Sequence, residues 1–326
     1  MPIKSVPSRL RRPPPRVCPG PVTRCLLGVV LLSGVMTGAE RPSANAQAQT
    51  VERHLYVSVL VDSGSPLQGL RDGDFFIRED GIDREVLRAG PATAPMQIDI
   101  LVDTSAAARP IIGDLRRALE SFVEELHEGN QIAVITFGGT RYVLVQPTTS
   151  LDRLKSGMSK LFSRPDTATY LVNALNDTAS GFDEREALRP VVVVVTTNGV
   201  DFSEQDPQPV VTRLRAAGAV VHAVVMRTSR VRMSFTGTFG LAVFPSWASR
   251  ARDLMLDIGP KQTGGHRIDL STVNGLGEVL SRLAFELSNQ YLVVYAGARS
   301  LLPPQVQVAV NSSEPVTVRA VPARFR

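Results

Sequence analysis

The sequence predicts an α/β protein: a doubly wound, mostly parallel sheet with one antiparallel edge hairpin, plus a small β-rich unit built from the N- and C-terminal flanks. Three observations carry this. From about Pro95 to Asn289, strand-like and helix-like runs alternate, as they do when each strand of a parallel sheet is followed by a covering helix. Two of the strand runs, PVVVVVTT and AVVHAVVM, are near-continuously apolar, which suits strands buried on both faces. Outside this stretch apolar residues alternate with period two, the mark of half-buried strands.

The elements follow in order. Residues 1–46 read as a secretory signal: basic RLRRPPPR, apolar CLLGVVLLSGVMTGA, then ANAQAQ with small residues at the −3 and −1 positions. The apolar run Cys25–Ala39 is shorter than the roughly 20 residues a membrane-spanning helix needs, so no span is expected after cleavage. Both cysteines, Cys18 and Cys25, fall inside this segment, leaving the remainder without thiols or disulfides. Of the 36 basic and 31 acidic residues, seven and one lie in residues 1–46, and the rest, 29 against 30, is balanced. The net charge of +5 thus belongs to the signal, which argues against a nucleic-acid binder. The reading is an exported chain, periplasmic or secreted.

Residues 50–94 form the N-terminal β segment. HLYVSVLVD alternates, and Asp80-Gly81 between FFIRE and IDREV signals a two-residue hairpin. Residues 95–289 form the α/β domain. MQIDILVD is its first strand; a helix over Pro110–His127 follows, with apolar residues at 111, 115, 118, 119, 122, 123 and 126, stopped by Gly129. QIAVITF and RYVLVQ flank Gly138-Gly139-Thr140 as the edge hairpin. LDRLKSGMSKLF and TYLVNALNDTASGF read as helices, as does a stretch near 205–217 between the two buried strands. Thr263-Gly264-Gly265 reads as a turn before the strand HRIDL. Residues 290–326 supply three short alternating runs, QYLVVYAG, QVQVAV and VTVRAV. They are expected to pack with 50–94, because the first strand of such a sheet starts, and its last helix ends, opposite the strand carboxyl ends.

Those carboxyl ends are where open α/β sheets bind ligands. The stretch ILVDTSAAARP delivers Asp103, Thr104 and Ser105 there, then three alanines. RPDTATYLVNAL brings Thr169 to a helix start, and VVVVVTTNGVDFS brings Asn198 and Asp201. Acid, hydroxyls and amide converging on one face make an all-oxygen set of the kind a hard cation such as Mg²⁺ takes. Taken singly, Asp103 or Thr169 is better explained by capping of exposed backbone N–H groups; as a set in register with the fold they point to a binding face.

In order, LVDSGSPLQGLRDGDFFIREDG, LVDTS, TNGVDFS, TGGHRI and QYLVVYAG resemble the von Willebrand factor A domain and, through the flanks, the bacterial VWFA-related family first described in acidobacteria. The resemblance covers nearly all of the chain after residue 46. It implies a Rossmann-like fold, non-enzymatic protein-protein interaction or adhesion, and a metal-ion-dependent adhesion site. That site takes Asp-x-Ser-x-Ser from one loop, a Thr from a second and an Asp from a third, with an acidic group of the partner completing the coordination. By position, Asp103 and Ser105 match, Ala107 replaces the second serine, Thr169 matches, and Asn198 stands where the second aspartate would be. One carboxylate remains of two. The implied site is degenerate, and the implied cofactor is weakly held Mg²⁺ or none. Asp201 and Asp166 are further oxygen donors in these loops, but neither is at a family position.

Residues 227–247, RTSRVRMSFTGTFGLAVFPSW, leave the carboxyl end of a strand. Arg227, Arg230, Arg232, Phe235, Phe239, Phe244 and Trp247 are of the types that anchor interfaces, so this is the candidate partner-binding loop. A loop folded over its own aromatics is the plainer alternative. His54, His127, His222 and His266 are scattered without metal-ligand spacing, and His222, inside a Val run, reads as a core residue. No Walker lysine and no Gly-x-Gly-x-x-Gly follows a strand. An aspartyl-phosphate enzyme using Asp103 would want a second acid where Ser105 stands and a lysine near 196–201, whereas the lysines beyond residue 46 are Lys155, Lys160 and Lys261. The expected function is an exported interaction or adhesion-type module with a protein partner and no small-molecule substrate. A structural envelope component with a vestigial site, and an Asp-nucleophile phosphohydrolase, are the alternatives.

Overall fold

Odd- and even-numbered valines of the Val-rich strand feed two different cores, and the central sheet is built around that division. The computed structural model describes residues 50–227, 249–299 and 304–324. In chain order the first strands are β1 (Thr50–Val61), β2 (Phe75–Glu79), β3 (Ile82–Arg84), β4 (Val86–Pro91) and β5 (Gln97–Val102). Then come α1 (Ile112–Leu126), β6 (Gln131–Thr136), β7 (Tyr142–Thr148), α2 (Leu151–Met158), α3 (Leu171–Glu184), β8 (Pro190–Thr197) and α4 (Pro207–Ala216). The chain continues through β9 (Val220–Met226), α5 (Arg250–Thr263), β10 (Arg267–Leu270), α6 (Leu276–Ser288), β11 (Tyr291–Ala298), β12 (Val306–Val310) and β13 (Val316–Pro322).

The central sheet has the order β10-β9-β8-β5-β6-β7. Every neighbour pair is parallel except β6-β7, which closes the edge as an antiparallel hairpin. Val191, Val193 and Val195 of β8 pack with α1, α2 and α6. Val192 and Val194 pack with α3, α4 and α5 on the other face. Each such side chain contributes about 1.5–3 kcal/mol by leaving water, so a strand covered on both faces needs no polar position. This is the doubly wound α/β class.

On α1 the apolar stripe is the buried stripe: Ile111, Leu115, Ala118, Leu119, Phe122, Val123 and Leu126 are all inside. The helix does not begin at Pro110, however. Residues Ala106–Ile111 form a 3₁₀ segment containing Pro110, because the Ala106 N–H is drawn to Thr167 O (3.1 Å) and the Ala108 N–H closes a tight turn onto Ser105 O (3.0 Å). The start of α4 obeys local chemistry: Asp206 accepts from the Gln208 N–H at 3.1 Å and Pro207 occupies the first turn.

The flanks interleave. Their four-stranded sheet has the order β13-β1-β11-β4, with β1 antiparallel to both β11 and β13. A three-stranded sheet, β12-β2-β3, lies across a third core of Leu55, Val57, Phe75, Ile77, Tyr291 and Tyr295. The β2-β3 turn puts Asp80 at φ 50° and Gly81 at φ 81°, the left-handed pair that a two-residue hairpin requires. Between the two sheets sits the Glu79 carboxylate, 1 % exposed, with Arg53 Nε at 3.1 Å and Arg84 Nε at 3.0 Å. Neither Nε–H is aimed along its contact, so both are ion pairs rather than aligned hydrogen bonds. Tyr295 OH (3.2 Å) and the Ala298 N–H (2.8 Å) donate to the same carboxylate.

One buried arginine ties both chain crossings between the flank sheets and the α/β unit. Arg189 donates to Ala94 O (2.9 Å) before β5, and to Leu287 O (3.0 Å) and Gln290 Oε1 (2.7 Å) where α6 ends. Its guanidinium lies 4.7 Å from the Tyr56 ring centroid. Burial without a carboxylate pulls its pKa down to about 10. Among the described residues no helix is long and apolar enough to cross a membrane.

Candidate functional site

The carboxyl ends of β5 and β8 lie side by side, since Val102 pairs with Val195. The next residues of each strand therefore meet. Asp103 is fully buried, and its carboxylate faces the end of β8. Oδ2 accepts from Thr197 Oγ1 (2.6 Å), the Thr197 N–H (2.9 Å) and Thr196 Oγ1 (3.3 Å). Oδ1 accepts from the Ser105 N–H (2.8 Å). Charge-assisted bonds of this kind are about twice as strong as neutral ones. The acid is thus held by four donors of its own chain, and one oxygen is saturated.

Ser105 is buried, its Oγ lacking a hydrogen-bond partner. Ala107 is buried against the next loop: a Cβ built on Gly199 would lie 2.5 Å from Ala107 Cβ and 3.8 Å from Ser105 Oγ. Gly199 is therefore required for the approach, and the carbon at 107 fills the space beside the 198–200 turn. Gly138 performs the same service on the other side, where an added Cβ would come within 2.4 Å of Ser105 N.

Thr169 sits two residues before α3, bridged to Gly138 and to Asp201. Its hydroxyl donates to Asp201 Oδ2 at 2.7 Å. Asp201 is buried, and also accepts from the N–H groups of Leu171 (2.9 Å) and Ser203 (2.9 Å). It therefore turns inward as a cap on α3. Asp166 is exposed at φ 56° and joins none of these contacts. Asn198 is exposed, with its N–H on Met226 O at 3.1 Å.

The structure thus brings Asp103, Ser105, Ala107 and the 198–200 turn together, with Thr169 beside them but bonded to Asp201. Beyond Asn198 lies a cavity of about 220 Å³ at the ends of β8, β9 and β10. Arg227, Arg252 and Arg267 line it with Asp253 and Asp269. Arg267 closes on Asp269 through two 2.8 Å bonds. Arg252, buried, bonds Gly199 O and Asp253. Arg227 is exposed and takes part in none of the ion pairs among the described residues. Arg230, Arg232, Phe235, Phe239, Phe244 and Trp247 lie outside the described residues.

Sequence reasoning missed Thr196 and Arg252 as members, and the roles of Thr197 and Asp201. Thr196 and Thr197 end the Val run as the first polar residues after it, a signal that was present. Asp201 was visible as an acid but not as the partner of Thr169. Arg252 belongs to α5, far along the chain, and nothing local marks it. Among the described residues no group of three or more His, Cys, Asp or Glu is placed to hold a metal.

The von Willebrand factor type A domain model matches residues 98–200, the stretch from β5 through the 198–200 turn. The chain contains a von Willebrand factor type A domain. Among solved structures it is similar to an aerotolerance-related membrane protein from Bacteroides fragilis, at 16% identity over 58% of this chain and 98% of that one, with a TM-score of 0.45. It is similar to a von Willebrand factor type A protein from Catenulispora acidiphila, at 12% identity over 83% of this chain and 73% of that one, with a TM-score of 0.47. It is also similar to proximal thread matrix protein 1 from the mussel byssus, with zinc in its adhesion motif, at 15% identity over 65% and 49%, with a TM-score of 0.47. No curated protein matches the sequence.

Proposed function

We propose that this von Willebrand factor type A domain is an exported, non-enzymatic interaction module. It binds a protein partner at the carboxyl-end face of the central sheet, without a resident divalent ion. The observation that carries this reading is the state of Asp103. Its carboxylate is spent on Thr196, Thr197 and the Ser105 N–H, and the positions that would add a serine oxygen and a second carboxylate are Ala107 and Asn198. Hard cations are selected chiefly by the number of carboxylates and oxygens offered. One carboxylate with a saturated oxygen, one free hydroxyl and one methyl group do not fit Mg²⁺. The same burial argues against Asp103 as a nucleophile, since no substrate atom reaches it.

The partner-binding surface is then the face around Asn198 and Arg227, with Arg227 offering an acidic group of the partner the positive charge that a metal would have supplied. The division 50–94, 95–289 and 290–326, with 1–46 as the export signal, is part of the proposal. The test is thermal unfolding in chelator and then in millimolar Mg²⁺, Mn²⁺ or Ca²⁺. A ligand at a hundred times its dissociation constant adds about 2.7 kcal/mol to stability. The expected result is an unchanged midpoint. A rise of several degrees that vanishes in Asp103→Ala would refute the metal-free reading. Recovery of envelope proteins should fall in Arg227→Glu, and unchanged recovery counts against this face.

A further inference from the structure

The turn Thr263-Gly264-Gly265-His266 plays no part in the face just described, yet it is wedged between the central sheet and the flank sheet. A Cβ on Gly265 would lie 2.0 Å from Val221 O of β9, and one on Gly264 would lie 2.5 Å from Val321 Cγ2 of β13. Gly264 also holds φ 82°, so the turn has glycine's freedom and no clearance on either side. It carries His266 to within 3.2 Å of His222, Nδ1 to Nδ1, with the rings edge to face at 4.7 Å. The two histidines are scattered in sequence and paired in space. His222 is buried, and its Nε2 has no hydrogen-bond partner. Glu286 of α6 lies 3.7 Å from His266 Nδ1, and Arg319 of β13 lies 3.4 Å from Glu286. Ser58 of β1 faces Glu286 and favours its charged form. The neighbouring Arg267 is taken up by Asp269.

We propose that His222 and His266 form an acid-sensitive latch that holds β13 against the central sheet at neutral pH and releases it when the pair is protonated. A neutral pair is satisfied by one Nδ1–H donating to the other Nδ1 lone pair. A further proton brings a positive charge into a buried site beside Arg319. A second leaves two donors facing each other. Separating the turn from β13 relieves both, because water then reaches the rings.

The direction of titration agrees. Burial, then His266 and Arg319, hold His222 well below the usual histidine value. Burial, then Arg319, lower His266 to about 4. Released histidines bind protons near 6.5, so between that pH and about 4 the closed form binds fewer protons and weakens as pH falls. Glu286 has the opposite sign: burial raises its pKa, so its protonation favours the closed form and offsets part of the effect. For His266 alone, a released value of 6.5 against about 4 when closed makes about fortyfold more opening at pH 4.5 than at 6.5, and about sixtyfold more than at pH 7.0.

The test is hydrogen–deuterium exchange on the full chain at pH 7.0 and 4.5, corrected for intrinsic rates. Amides of β13 should open about sixtyfold more at pH 4.5, while those of α1 and β6 stay protected. His222→Gln/His266→Gln should keep β13 closed at both pH values. Because replacing buried His222 risks misfolding, His266→Gln alone is the second variant, and it should remove at least tenfold of the effect. The latch is overturned by equal β13 protection at the two pH values in the wild type. It is also overturned by an acid effect undiminished in the variants, or by α1 opening to the same extent.

Discussion

If Asp103 is a structural acid rather than a waiting ligand, removing it should be costly in the absence of any cation. Asp103→Ala leaves the Ser105 and Thr197 N–H groups buried without their acceptor. The two threonine hydroxyls are better placed, because they rotate; Thr196 Oγ1 already lies 3.4 Å from Thr197 O. At about 1–3 kcal/mol for each orphaned backbone donor, the loss is about 2–6 kcal/mol. Urea unfolding followed by far-ultraviolet circular dichroism, with chelator present throughout, reads it directly. With a slope of about 2–3 kcal/mol/M, the midpoint falls by about 1–3 M. Asp103→Asn keeps one oxygen and should fall between. A carboxylate kept for an ion has no donors to lose in chelator, so an Asp103→Ala midpoint equal to that of the wild type would refute the reasoning.

Three further outcomes follow from the same geometry. Glu79→Ala strands Arg53 and Arg84 between the flank sheets and should cost about 3–5 kcal/mol, measured in the same urea titration. Gly138→Ala must displace the Thr104-Ser105 backbone, which leaves no room for a Cβ; overpacking of this kind costs about 1–3 kcal/mol, and a wild-type midpoint would show that the hairpin yields freely. Ala107→Ser/Asn198→Asp restores the missing oxygens, and its thermal midpoint should rise with Mg²⁺ by an amount equivalent to about 2.7 kcal/mol at a hundredfold excess over the dissociation constant. If it does not, the Asp103 contacts to Thr196 and Thr197 outweigh the ion.

Much of the fold was legible because burial on two faces leaves a plain mark. The run Val191–Val195 needs no periodicity to be read, and the α1 stripe names its buried residues one by one. Pairing between distant strands leaves no such mark. Nothing in VTVRAV says that it lies against β1, or in QVQVAV that it lies against β2, because each strand carries only its own alternation. The site divides in the same way. Loop order put Asp103, Ser105 and Asn198 at one end of the sheet, and only the family resemblance singled out Ala107. What those residues do was hidden in partners from other elements: Thr197 on Asp103, Asp201 on Thr169, Arg252 on Gly199 O. The histidine pair is the extreme case, two residues 44 apart that meet only through the Gly264-Gly265 turn.

On the proposed reading, Ala107 and Asn198, the two departures from the adhesion-site pattern that the resemblance implies, belong to one electrostatic arrangement. Two carboxylates at the ends of β5 and β8 would repel, at about 4 kcal/mol for unit charges 4 Å apart at an effective dielectric of ~20, and a divalent ion is what makes such a pair stable. With Asn198 in place of the second acid, that repulsion is gone, and the single charge of Asp103 needs only hydrogen-bond donors. Thr196 and Thr197 supply them from within the strand end. Ala107 then costs nothing, since no ion asks for its oxygen, and its methyl group fills the space beside Gly199. Restoring either position alone should therefore be worse than restoring both. Asn198→Asp by itself reintroduces a repulsion without the full oxygen set, and Ala107→Ser by itself crowds Gly199 for no gain. Each single variant is expected to be less stable than the wild type in chelator. In Mg²⁺ the double variant should recover more stability than the two singles together. A recovery that is merely additive would mean that the two positions never acted on a common ion.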